Sequence, residues 1–121
     1  MLSRRRGVAF RDILDHDLVG LPAGSALQDY LEQHAARAGR RLKLRVRLNG
    51  FDPVCRMVES GIGLAVLPRT AAQRAQRSMA IRVIALTDPW ARRRHAICIR
   101  SFKSLPAHAQ RLVECLRARA S

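Results

Sequence analysis

The sequence predicts an α/β sandwich with a mostly parallel sheet, and three observations carry that prediction. Apolar runs of strand length alternate with segments of helical periodicity along the 121 residues. The stretch Val58 to Pro68, read VESGIGLAVLP, holds a helix stop, a two-glycine turn and an uninterrupted apolar strand. Leu42 to Leu48 alternates strictly between apolar and cationic residues, as a strand with one covered face does.

Taken in order, Phe10 to Leu14 leads into Asp17-Leu-Val-Gly-Leu21, a short apolar strand closed by Pro22. The loop Pro22-Ala23-Gly24-Ser25 follows, with Ser25 as N-cap and Gln28 three residues on to complete a capping box. Leu27, Tyr30, Leu31, His34, Ala35 and Ala38 form one helical face, and Gly39 ends it. After the alternating strand, Asn49-Gly50-Phe51 turns into a second helix, with Asp52 as N-cap, Pro53 in its first turn and apolar Val54, Met57 and Val58. Gly61 and Gly63 make the structural turn into the strand Ile62 to Leu67. Arg69 to Arg77 reads as a short helix and Ile81 to Leu86 as a strand, broken by Thr87-Asp88-Pro89. Trp90 to Arg94 is a basic connection, His95 to Ile99 a strand, and Pro106 to Ala118 a final helix.

Length and composition suit one domain with a real core: 48% of the residues are hydrophobic, and no apolar run approaches membrane-spanning length. The first ten residues carry arginines but no apolar segment of a secretory signal, so a cytoplasmic location is expected. Cys55, Cys98 and Cys115 are widely spaced with no CxxC, which suits buried thiols rather than a disulfide framework or zinc site; no metal or cofactor is expected. The net charge of +14 raises the possibility of a polyanion partner. Against it, the cations are spread through the chain and no aromatic residue is interleaved with them as a stacking platform.

The loop before the first long helix is the leading candidate site. Pro22, Ala23, Gly24 and Ser25 precede a helix N-terminus whose free N–H groups suit a small carboxylate, and open α/β sheets bind ligands beyond the carboxyl ends of their strands. The alternative is that Ser25 only caps its helix and Gly24 only turns the chain. Phe51 either lines the same cleft or belongs to the core. No catalytic residue is expected: Ser25 has no triad partners nearby in sequence, and the four histidines are scattered.

These segments, in this order from Phe10 to Ala118, resemble the C-terminal effector-binding region of LysR-type transcriptional regulators. The run Met57 to Pro68 matches that family's MVxxGxGxAxLP pattern, and Leu86-Thr-Asp88 its LxD exit. The resemblance implies a lobe like those of type 2 periplasmic binding proteins, a small-molecule effector held between two lobes, and no enzyme activity. It implies residues 1–12 as a basic lead-in, 13–87 as the second lobe, and 88–121 as a crossover plus a strand and helix of the first lobe. By that reading the fold is incomplete relative to the family. The winged helix-turn-helix through which the family contacts DNA is absent, and the last strand is an exposed edge. Weak stability, and self-association or docking onto full-length regulator subunits, are then expected, with no membrane partner. Two other readings remain: a small basic protein that binds nucleic acid non-specifically through its arginines, and half of a periplasmic-type solute receptor, disfavoured by the lack of a signal sequence.

Overall fold

The structure, a computed structural model, describes residues 7–101. Six strands and four helices follow in the order β1 (Gly7–Val8), α1 (Phe10–Ile13), β2 (Leu18–Gly20), α2 (Ala26–Arg37), β3 (Leu44–Arg47), α3 (Phe51–Glu59), β4 (Ala65–Pro68), α4 (Arg69–Gln76), β5 (Ile81–Leu86) and β6 (His95–Arg100). The expected final helix, with Cys115, lies outside the described residues.

Helices cover both faces of the strands. Phe10 and Ile13 of α1 and Leu31 and Ala35 of α2 pack with Leu64, Val66, Ile84, Leu86, Ile97 and Ile99. Val54, Cys55 and Val58 of α3 and Ala72 and Ala75 of α4 pack with Ala65, Leu67, Ile81, Ala96 and Cys98. Successive side chains of a strand point to opposite faces, so the unbroken apolar runs of β4 and β6 feed both layers at once. That is why neither run contains a polar residue between its buried positions.

The expectation of a mostly parallel sheet is corrected by the ladders. The four-stranded sheet has the order β1-β5-β6-β4 and is mixed: β1 runs parallel to β5, while β6 is antiparallel to both β5 and β4. Beside it, β2 and β3 form a parallel pair, joined to β4 by a single bridge between Leu18 and Leu64. The reason lies in the connection from Leu86 to His95, which has no crossover helix. A parallel return needs a dozen or more residues, whereas a run of tight turns sends the chain back antiparallel.

The same ladders remove the expected edge at His95 to Ile99. Val66 pairs with Ile97 on one side of β6 and Ile84 pairs with Ile97 on the other, so the strand is internal to the sheet. The residues expected only as a lead-in also contribute structure, since Gly7 and Val8 pair with Ala85 and Leu86, and Phe10 is buried.

Both long helices end as the glycines foretell. Gly39, at φ 70°, and Gly61, at φ 84°, sit in the left-handed region after the C-caps of α2 and α3. In each, two bonds close a Schellman motif: Gly39 N to Ala36 O and Arg40 N to Ala35 O in one, Gly61 N to Val58 O and Ile62 N to Met57 O in the other. Gly63 has a different duty. A Cβ there would lie 2.6 Å from the carbonyl oxygen of Asp17, so glycine alone lets β4 approach β2. The start of α3 departs from expectation: its N-cap is Gly50 at φ 99°, with no side-chain cap, and Asp52 stands inside the first turn. There its charge complements the helix dipole instead.

Candidate functional site

The carboxyl ends of β2 and β3 lie side by side, because Gly20 pairs with Arg47 and Leu48 N donates to Gly20 O at 2.9 Å. The two loops that leave them, 21–25 and 48–50, therefore open from adjacent strand ends, and each leads into a helix N-terminus. Of the predicted site residues, Pro22 and Ser25 are half-buried, Ala23 and Gly24 exposed, and Phe51 exposed at 39%. Phe51 thus is not a core side chain.

Ser25 caps α2 as expected, its Oγ accepting from Gln28 N at 3.3 Å. The reciprocal half of the capping box is not made. Gln28 is buried, at 2% exposure, and its Oε1 accepts instead from Leu21 N at 3.0 Å. One residue thereby grips both ends of the loop, by its main chain at Ser25 and its side chain at Leu21. Gln28 Nε2 is buried without a partner. Arg47 Nη1 donates to Leu21 O at 3.3 Å and its Nη2 lies 3.5 Å from Glu32 Oε1, which ties the loop to β3 and α2.

Gly24 N, at the loop's tip, donates to Asp29 Oδ1 at 3.2 Å. The loop thus already holds a carboxylate, supplied by its own helix. Gln28 N is taken by Ser25 Oγ, while the amides of Ala26 and Leu27 in the same first turn of α2 have by helix geometry no intrahelical acceptor. What the arrangement offers chemically is a set of neutral N–H donors at a positive helix end, able to hold an anion.

A second cluster, unforeseen in the sequence, lies where the 87–94 connection crosses α2. Trp90 stacks on His34, with ring centroids 3.7 Å apart and planes 8° from parallel. Phe10 and Tyr30 meet Trp90 edge-on at 5.1 and 5.5 Å, and His95 lies 5.8 Å from Tyr30. Asp88 anchors this connection, accepting from Phe10 N at 2.7 Å. Burial, then the charge of Arg37, holds His34 below its ordinary value of 6.5, with Asp88 opposing. Burial, then Arg94 and His34, lowers His95 likewise, and its Nδ1 is buried without a partner.

Both histidines are harder to protonate folded than unfolded. Stability conferred by them is therefore complete above 6.5 and is lost as the pH falls from there through the lower folded values. Melting temperature is expected to drop between pH 7 and pH 5, and less in His34→Gln; an unchanged melting temperature over that interval contradicts this account. Asp15, lowered from 3.8 by its hydrogen bond and ion pair with Arg40, acts only in more acidic solution.

Cys55 and Cys98 are buried and free, and hydrogen-bonding to Cys55 together with burial pushes the Cys98 thiol far up, so it stays protonated. Among the described residues no group of His, Cys, Asp and Glu is arranged for a metal ion. None of their helices is long and apolar enough to cross a membrane. A shallow hollow of about 460 Å³ lies between α2 and β3, lined by Glu32, Arg40, Arg47, Leu42 and Leu44 among others, apart from the 21–25 loop.

Comparison with curated proteins gives no match. The family described as LysR substrate binding domain matches residues 1–121, the whole chain. With the MVxxGxGxAxLP turn built as a Schellman stop and a glycine contact between strands, the chain belongs to the LysR substrate-binding domain family.

Proposed function

We propose that this chain senses a small metabolite bearing a carboxylate, which binds at the Pro22–Ser25 loop and the N-terminus of α2, with Phe51 against its apolar part. A substrate-binding domain of this family has a regulatory, effector-binding role rather than a catalytic one. The observation that carries the finer reading is the Gly24–Asp29 contact, in which a carboxylate already sits on the loop amide. An effector carboxylate takes that place and displaces Asp29, and Ser25 and Gln28 keep the loop in shape to receive it. Self-association, or docking with other regulator subunits, and DNA contact through a winged helix-turn-helix in the complete regulator belong to the same proposal, as does a cytoplasmic location.

Thermal unfolding against a panel of small carboxylates tests the site. A melting shift with one compound is expected, lost when Ser25 is replaced by Trp and enlarged in Asp29→Asn, which weakens the internal competitor. At a concentration 100 times Kd, binding adds about 2.7 kcal/mol of stability, well within reach of the measurement. A shift that survives Ser25→Trp places the ligand elsewhere.

A further inference from the structure

Among the described residues, positive charge is not evenly matched by carboxylates. Three ion pairs between described residues lie on the β2–β3 side: Arg40 with Asp15, Arg45 with Asp17 and Arg47 with Glu32. In contrast, α4 contains no acidic residue, and Asp88 is the only one from residue 69 to residue 94, against seven arginines. Asp88 is turned inward, onto Phe10 N.

The arginines of α4 form one surface. At 100° per residue, Arg69, Thr70, Gln73, Arg74, Gln76 and Arg77 fall within an arc of about 160°, while Ala72 and Ala75 face the core. The 92–94 turn adjoins the start of this helix, since Arg69 N donates to Arg94 O at 2.7 Å. Arg92, Arg93 and Arg94 are all exposed. Exposed Arg74 and Arg77 and half-buried Arg69 of α4, with neutral donors Thr70, Gln73 and Gln76 between them, are thus joined at the positive end of the helix by the exposed arginines of the 92–94 turn.

We propose that this arginine face docks on the phosphate backbone of duplex DNA. The composition of the face selects the partner. An acidic protein surface is met by an interface with an apolar or aromatic core, and the exposed side chains of α4 include none. Single strands are held by stacking on aromatic rings, and Trp90 and Tyr30 are engaged with one another. Cations with short neutral donors between them are what backbone contact to a duplex uses. The chain belongs to a family of transcription regulators, so the face gives the sensory part its own sequence-independent hold on the DNA.

The test is fluorescence anisotropy of the full chain with a short labelled DNA duplex, from about 50 to 200 mM salt. Affinity is expected to fall steeply with salt, and the log–log slope to shrink by about two in Arg74→Gln/Arg77→Gln and again in Arg92→Gln/Arg93→Gln. Arg45→Gln, which removes an arginine already paired with Asp17, is expected to change the slope by less than one. These side chains are exposed, and unchanged melting temperatures confirm that the variants fold. Wild-type slopes in both double variants overturn the proposal by placing the contact on other cations. Equal competition by polyglutamate overturns it in favour of an acidic protein, and tighter binding of an RNA duplex in favour of RNA. This outcome is independent of the carboxylate panel, which reads a different loop.

Discussion

Gly63→Ala is expected to be among the most damaging single-methyl additions in this chain. Its Cβ would stand 2.6 Å from Asp17 O and 2.9 Å from Asp17 C, both main-chain atoms that no rotamer change can move away. To make room, β4 must withdraw from β2. The bonds Leu64 N to Asp17 O and Val19 N to Leu64 O, at 2.9 and 2.8 Å, are the ones that stretch. Overpacking and two weakened buried bonds together cost about 2–4 kcal/mol. For a domain near this size that lowers Tm by about 10 °C or more. Gly24→Ala is the matched control. Nothing lies within 4 Å of its added Cβ, so only the left-handed φ of 92° is penalised, at about 1 kcal/mol. Chemical denaturation of the two variants separates the mechanisms; equal losses would show that steric approach at Gly63 is not what the glycine serves.

Trp90→Ala is the second large loss. Trp90 is the one ring touching Phe10 of α1, His34 and Tyr30 of α2, and its own connection, so its removal loosens three elements together. Truncating a packed tryptophan costs about 3–5 kcal/mol, and the half-exposed position puts this one near the lower figure. A spectroscopic reading accompanies the stability change. Burial is the main reason His34 is lowered, so its NMR titration is expected to move up toward 6.5 in the variant. If His34 titrates as in the wild type, the stacked pair does not shield it.

Where a residue type has a single local reason to be present, the sequence announces it. Gly39 and Gly61 stop helices, Ser25 caps one, and Lys43, Arg45 and Arg47 alternate on β3 with half-buried Leu42, Leu44, Val46 and Leu48. The mixed sheet was not legible, because apolar runs such as His95 to Ile99 state that both faces are covered and say nothing of direction. The length of the helix-free connection before it was the usable signal. Asp52 looked like a cap because its side chain suits one, but Gly50 reaches the required backbone geometry two residues earlier. At the candidate site, Gln28 read as a helix-start residue; only burial reveals that its amide holds Leu21. The aromatic cluster joins residues about sixty positions apart, Tyr30 and His34 with Trp90 and His95, and local pattern carries no trace of such a meeting. The arginine face was hidden for a related reason: sequence spreads the cations evenly, and only the placement of the carboxylates shows which are neutralised.

The position of β6 has a consequence for how the protein is made. Its neighbours β4 and β5 are not bonded to each other, and the strand that joins them is the last of the described strands to leave the ribosome. A nascent chain that has reached only Arg94 therefore displays two apolar strand edges, each waiting for the same missing partner. The four-stranded sheet closes late in synthesis and nearly all at once, so chaperone demand should peak while residues 95–100 remain in the exit tunnel, and fall as they emerge.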